Sequence, residues 1–282
     1  MPFPAFTKSF FQLITVFIVY AFPSFAQSTF TPFLTPDDFL YKFDSESFTF
    51  LTKLDFENAR KYKELIEAKS RRNSILTQQK YYRGDIQGKA SWNLKTFTSR
   101  RYNGVSNLIK KWNNGRIPYI LGSDYTARER AVLARAFQEY HIRTCIRFVA
   151  KTEFDQDFLY IGKIDGCYSD VGRAGGRQEL SLDEGCLHLD TVLHELMHSV
   201  GFYHEHERWD RDNYLIILWE NIDREAVDQF GRVDLVESNY YGQKYDYRSI
   251  MHYDSLAFSK NGRETLVARE PEMTNVSNYI LN

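Results

Sequence analysis

The chain changes its hydrophobic period several times, and each change predicts an element. Near the start, Lys8 precedes an apolar run from Phe10 to Phe22 that is broken only by Gln12 and Thr15, and Ser24-Phe25-Ala26 follows as a small-x-small triplet. That layout predicts a secretory signal peptide over residues 1–26, removed before Gln27. The competing reading, an uncleaved membrane anchor, is disfavoured by length, since a spanning helix needs about 20 mostly apolar residues.

Residues 53–80 are dense in charge, with Phe56, Leu65 and Ile66 as scattered apolar positions. The spacing predicts a solvated helix with one weak apolar stripe, which has to lean on another part of the protein. Beyond Arg100-Arg101 the pattern turns into that of an α+β domain. Ile117–Leu121 reads as a strand, and Thr126-Ala127-Arg128-Glu129 is a capping box opening a helix whose apolar face is Val132, Leu133, Ala136, Phe137 and Tyr140. Strands are expected over Cys145–Val149 and Phe158–Ile161, and a short one over Glu179–Leu182, taken as a sheet edge open to an extended substrate.

Composition narrows the function classes. Lys and Arg total 36 against 37 Asp and Glu, a net charge of −1 that supplies no field for nucleic acid or an anionic membrane. A hydrophobic share of 43% with 26% charged residues is that of a globular protein, which excludes wholesale disorder. No later apolar run approaches spanning length, so no stable membrane insertion is expected. Three cysteines, Cys145, Cys167 and Cys186, are too few for a zinc site closed by four thiolates, and one is left over.

The chemistry concentrates between Thr191 and Glu205. His194 and His198 are four apart, which on a helix aims both imidazoles at one point, while Leu193, Leu196, Met197 and Val200 give the helix a face to bury. Gly201 permits the reversal that brings His204 to the same point. Three imidazoles with an open fourth position suit a catalytic zinc, one ion per domain, whereas a structural site is closed by a fourth protein ligand. Glu195 follows the first ligand, where a general base for zinc-bound water would stand. His141, His188, His206 and His252 lack ligand spacing and are read as structural.

The run His194-Glu195-x-x-His198-x-x-Gly201-x-x-His204 resembles the metzincin zinc signature, and Gly201-Phe202-Tyr203-His204-Glu205-His206-Glu207-Arg208 narrows the resemblance to the astacin family. Ile117-Pro118-Tyr119, Cys145–Val149, Gly166-Cys167, Leu180-Ser181-Leu182, Asp210–Tyr214 and Ser249–Tyr253 extend it from about residue 103 to at least 258. The resemblance implies a metzincin-like α+β fold: a twisted, mostly β N-terminal subdomain, a zinc-binding helix, and an irregular C-terminal subdomain that ends early here. It implies a zinc metalloendopeptidase acting on protein or peptide substrates, with Glu195 as base, Tyr253 supporting the oxyanion and Met251 in a Met-turn beneath the ligands. Glu205 matches a glutamate that holds the mature N-terminus. Cys167 and Cys186 match a family disulfide, which leaves Cys145 without its C-terminal partner.

Tyr82-Arg83-Gly84-Asp85 resembles the family's pro-segment motif, with Tyr82 where Phe is usual, and implies that Asp85 occupies the zinc position in a zymogen. The expected organisation is a signal peptide over 1–26, a propeptide over 27–102 and an astacin-like peptidase domain over 103–282. An activating protease would cut near 101–103, because a cut at Arg71-Arg72 leaves Asp85 attached. Secretion to the extracellular space and glycosylation at the sequon Asn275-Val276-Ser277 complete the expectations. Two rivals stay open: a secreted binding protein or incomplete gene product with an impaired site, and a structural zinc domain.

Overall fold

The computed structural model describes residues 49–67, 84–87, 104–233, 238–239 and 241–270. The expected signal segment 1–26, Arg71-Arg72, Arg100-Arg101 and Asn275 lie outside them. Among the described residues no helix is long and apolar enough to cross a membrane.

Two short helices come first, α1 (Lys53–Lys61) and α2 (Lys63–Glu67), followed by β1 (Gly104–Val105) and then β2 (Arg116–Leu121). α3 (Ala127–Arg143) opens on the expected box: Thr126 accepts from the Glu129 N–H, and the Glu129 carboxylate accepts from the Thr126 N–H at 2.8 Å. β3 (Arg147–Ala150), β4 (Phe158–Gly162), β5 (Cys167–Ser169) and β6 (Arg177–Leu182) complete a five-stranded sheet in the order β3-β2-β4-β6-β5. All its pairs are parallel except β5 with β6. Ile117, Tyr119, Leu121, Leu159, Ile161, Leu180 and Leu182 are buried at alternate strand positions. They pack in one core with Leu133, Phe137 and Tyr140 of α3, and with Val192, Leu193 and Leu196 of α4 (Leu189–Val200).

Three expectations change. β3 begins at Arg147 rather than Cys145, because the Ile146 N–H donates to the Thr144 hydroxyl at 3.0 Å and turns the chain before the strand starts. Glu179–Leu182 is not an edge: β6 is paired on both sides, by β4 and by β5, and the antiparallel β5 is the open margin. Within its described part, residues 53–67, the charged segment is two helices, and the face α1 buries holds Asp55, Asn58 and Ala59, whereas Phe56 is only half-buried. Asp55 goes inside because Arg130 of α3 meets it there, with both side chains fully buried.

After α4 the chain folds with little regular structure. Short 3₁₀ turns link two antiparallel ribbons, β7 (Leu215–Ile217) with β9 (Leu266–Ala268), and β1 with β8 (Ser238–Asn239). A second core of Leu215, Ile222, Phe230, Tyr245, Tyr247, Tyr253, Phe258 and Leu266 holds this half together. Cys167 and Cys186 form a disulfide with an S–S distance of 2.08 Å, tying β5 to the loop before α4. Cys145 is a free, exposed thiol.

Candidate metal centre

α4 and the turn that ends it place three histidines. Gly201 has φ 126°, and its N–H closes the helix by donating to the carbonyls of Met197 and His198. A Cβ there would stand 2.8 Å from Val105 Cγ2, so glycine is required both for the turn and for the close passage of β1. The reversal returns His204 to the face carrying His194 and His198.

All three rings are buried, and their Nε2 atoms converge. His194 and His198 Nε2 each stand 3.2 Å from His204 Nε2. The ring nitrogens on the far side are held by carbonyls: His194 Nδ1–H donates to Ile250 and His198 Nδ1–H to Phe202, each at 2.7 Å. Since a carbonyl only accepts, those tautomers leave Nε2 as a lone pair aimed at the common point. Unprotonated nitrogens this close repel unless a cation lies between them. Tetrahedral zinc with bonds of about 2.0–2.1 Å sets its nitrogen ligands about 3.3 Å apart. The donor set therefore fits zinc by chemistry and by spacing.

Asp85 fills the fourth position. Its Oδ2 lies 3.0 Å from His194 Nε2, and its Oδ1 lies 3.3 and 3.1 Å from those of His198 and His204. The four ligand atoms fall within 4.8 Å of one another. Burial alone would raise the Asp85 pKa, but positive charge at the site, carried by protonated His204 and His198 with hydrogen bonds from His194 and His198, outweighs it and holds the carboxyl well below its usual range, and a cation between the Nε2 atoms would act in the same direction. The backbone around Asp85 runs along the sheet margin: the Ser169 N–H donates to the Asp85 carbonyl and the Gln87 N–H to the Ser169 carbonyl, both at 3.0 Å. Ile86 thereby bridges Ser169 in parallel. Residues 85–87 thus lie along the β5 edge, held there by these two backbone hydrogen bonds.

Glu195 is fully buried next to His194, and neither of its carboxylate oxygens has a hydrogen-bond partner. Burial, then the neighbouring Asp85 charge, push its pKa well above the ordinary value. Tyr253 is buried, its ring stacked on His206 with centroids 3.8 Å apart and 4.8 Å from that of His204. Its hydroxyl sits over Gly84, where a Cβ would come within 2.9 Å. Met251 is buried in a turn in which the His252 N–H donates to the Ser249 carbonyl at 2.9 Å, and the Met251 carbonyl accepts from the Glu205 N–H at 2.8 Å. The Glu205 carboxylate accepts from Arg208 and from the Asp246 N–H, each at 3.0 Å.

Sequence reasoning missed several members of this arrangement. The carbonyls of Ile250 and Phe202 have no side-chain signature. Glu207 is fully buried with Oε2 3.2 Å from His204 Nδ1, outside hydrogen-bond alignment, and accepts from the His204 N–H at 3.2 Å. Its i+3 spacing from a ligand is the signal that could have found it. Gly84 was visible beside Asp85, but its contact with Tyr253 was not.

Comparison with known proteins agrees with this geometry. Residues 104–278 match the model of the peptidase family described as Astacin. The chain is 66% identical over 254 residues to a protein named zinc metalloproteinase nas-8 from Steinernema carpocapsae, covering 90% of this chain and 60% of that one. It is 70% identical over 205 residues to the Caenorhabditis elegans protein of the same name, covering 72% and 51%. The chain thus spans between half and two thirds of the length of these relatives. A solved structure, high choriolytic enzyme 1, a hatching enzyme zinc-protease from the medaka fish Oryzias latipes, is similar at 40% identity and a TM-score of 0.54, covering 59% of this chain and 84% of that one. With the three converging imidazoles and the match over 104–278, the chain belongs to the astacin family of zinc metalloproteinases.

Proposed function

We propose that the protein is a secreted zinc-dependent endopeptidase made as a zymogen, and that Asp85 keeps it latent. The observation that carries this reading is the pairing of a three-histidine donor set, its fourth position filled from the pro-segment, with an unpartnered buried carboxylate beside it. The three-histidine set of a catalytic zinc leaves that fourth position for water or substrate, so a side chain there blocks both.

Zinc held by His194, His198 and His204 would supply Lewis acidity, polarising the scissile carbonyl and acidifying water. This chain's residues do the rest. The Glu195 carboxylate takes the proton from the attacking water and delivers it to the leaving amine nitrogen, a transfer suited to a carboxyl group whose pKa burial has raised. The Tyr253 hydroxyl, uncovered when Gly84 leaves, donates to the oxygen on which negative charge develops. The Ser169 N–H and carbonyl, released from Asp85 and Gln87, read an extended protein or peptide substrate through its backbone. Ile250 and Phe202 fix the ligand rings through their carbonyls, and Met251 lies in the turn that presents Ile250.

Removal of the segment 27–102 by an activating protease near 101–103 would clear the site and create a new N-terminus before β1. The Val105 N–H donates to the Gly201 carbonyl at 2.8 Å, so that terminus begins close to the turn leading to His204 and Glu205, and Glu205 is its proposed anchor. The 1–26 segment directs export, the Cys167–Cys186 disulfide suits an oxidising compartment, and Asn275 is the proposed glycosylation site. The test is to compare the cleaved wild type with Glu195→Ala on a denatured protein substrate, with and without a zinc chelator. The wild type digests the substrate and the chelator stops it. A zinc-loaded Glu195→Ala protein that digests as fast as the wild type would falsify the assignment.

A further inference from the structure

Among the described residues, the pro-segment touches the rest of the protein in two separate places, and only one involves the metal site. The second is the face of α3 and β2 around Arg130. The Arg130 guanidinium, fully buried, meets the fully buried carboxylate of Asp55 with Nη2 2.9 Å from Oδ2 and Nε 3.2 Å from Oδ1, and it also donates to the Phe50 carbonyl. Around this fork the contacts continue. The Leu121 N–H donates to the Thr49 carbonyl at 2.8 Å, the Leu51 N–H donates to the Tyr119 hydroxyl at 3.0 Å, and the Phe50 ring lies edge-on to Tyr119 at 6.1 Å. Ile66 enters the main core, with Phe56 and Tyr62 at its border. Thr52 caps α1 and shares the Asp55 carboxylate with Arg130, so the helix start and the ion pair form together.

We propose that the α3 face around Arg130 is a docking site for the helix Lys53–Lys61 that is independent of the metal, and that it retains the pro-segment on the enzyme after the chain is cut near Arg101. The proposal rests on the reading of residues 27–102 as a removable pro-segment. A guanidinium fork matched to one carboxylate in a dry site gives a specific and slowly released contact, because parting the pair costs far more than an exposed ion pair would. The two anchors are joined through residues 68–83, so each holds the other at high effective concentration, and the pair releases much more slowly than either alone. A cut near Arg101 severs neither anchor. The dibasic pair Arg71-Arg72 falls between them, and a cut there uncouples Asp85 from the helix. After the cut near Arg101, release of latency then waits on slow dissociation of the pro-segment, which a second cut at Arg71-Arg72 speeds by uncoupling Asp85 from the helix.

The test uses the full chain with Arg100-Arg101 replaced by the site of a single-site processing protease. After cutting, size-exclusion chromatography under native conditions reads whether the pro-segment co-elutes with the catalytic part. The wild type and Asp85→Ala retain it, whereas Asp55→Ala releases it roughly 30-fold faster or more. Arg130→Gln, made on the enzyme side, repeats the release and decides the matter if uncut Asp55→Ala does not melt cooperatively. Complete release from Asp85→Ala, or equal release rates from wild type, Asp55→Ala and Arg130→Gln, overturns the proposal. Retention is read without turnover, so a cut protein that has been freed of its pro-segment and binds zinc but digests nothing counts against the peptidase reading and not against the docking site.

Discussion

Gly84→Ala isolates the fit of residues 84–87 over the candidate metal centre. Gly84 has φ +89°, and its Cβ position is 2.9 Å from the Tyr253 hydroxyl and 3.4 Å from Phe258 Cζ. An alanine there carries the cost of a left-handed backbone, about 1–2 kcal/mol, and must also displace a hydroxyl whose ring is fixed by stacking on His206. Escape of the chain from that strain lifts Asp85 away from the histidines. A loss of about 1–2 kcal/mol corresponds to roughly a 5–30-fold rise in the open fraction. The assay is background turnover of a fluorogenic peptide by intact, uncut protein, followed by the same assay after cleavage near Arg101. Background turnover rises by that factor in the variant, and once the cleaved segment carrying residue 84 has been separated from the enzyme both proteins have the same activity. Equal background in wild type and variant, with equal melting temperatures before cleavage, would refute the argument that Gly84 is needed for the fit.

Other consequences follow from the same contacts. Glu195→Gln keeps zinc, measured by elemental analysis, but loses turnover by about 10²–10⁴-fold, the range for a lost general base. Burial, opposed by Lys110 and reinforced by Glu179, pushes the Asp170 carboxyl up to about 6. A folded-state pKa raised above its unfolded value contributes stability that is fully present below the ordinary carboxylate range and is lost as pH rises through about 6. Asp170→Asn therefore melts higher than wild type at pH 7.5, with the gap closing below about pH 4; an unchanged gap across that range contradicts the assignment. Opening the Cys167–Cys186 bridge by Cys186→Ser, across a sequence separation of 19, costs about 3 kcal/mol in urea titration, as loop-closure entropy predicts. The chemistry of β5 should suffer with it, because Cys167 begins that strand and Ser169 ends it.

Local spacing made most of the metal centre legible. His194 and His198 are one helical turn apart, Gly201 ends that helix, and His204 follows at a distance the turn can close, so the cluster needed no knowledge of distant contacts. The same locality explains Thr126 with Glu129 and the apolar face of α3, every named member of which is buried. What escaped was decided by pairings between distant segments. β5 is three residues long, too short for an alternation to show, and strand order alone makes it the edge in place of β6.

Asp55 is the sharper case, because the apolar pattern placed Phe56 and Ile66 against the core, as found, but carried no sign of the buried carboxylate beside them. A pattern of apolar positions assigns every charge to solvent, and on that assumption Asp55 faces outward. The assumption fails when a charge meets its opposite inside, and the opposite here is Arg130, 75 residues further on in the chain. Burying either alone would be prohibitive, whereas burying both in a two-point fork costs far less and fixes the register of the helix on its support. A charged helix without a convincing apolar stripe is therefore not evidence of an unpacked segment. In this protein it marks the face that another part of the chain has a matching charge to receive, which explains how a segment too polar to form a core of its own is held in place.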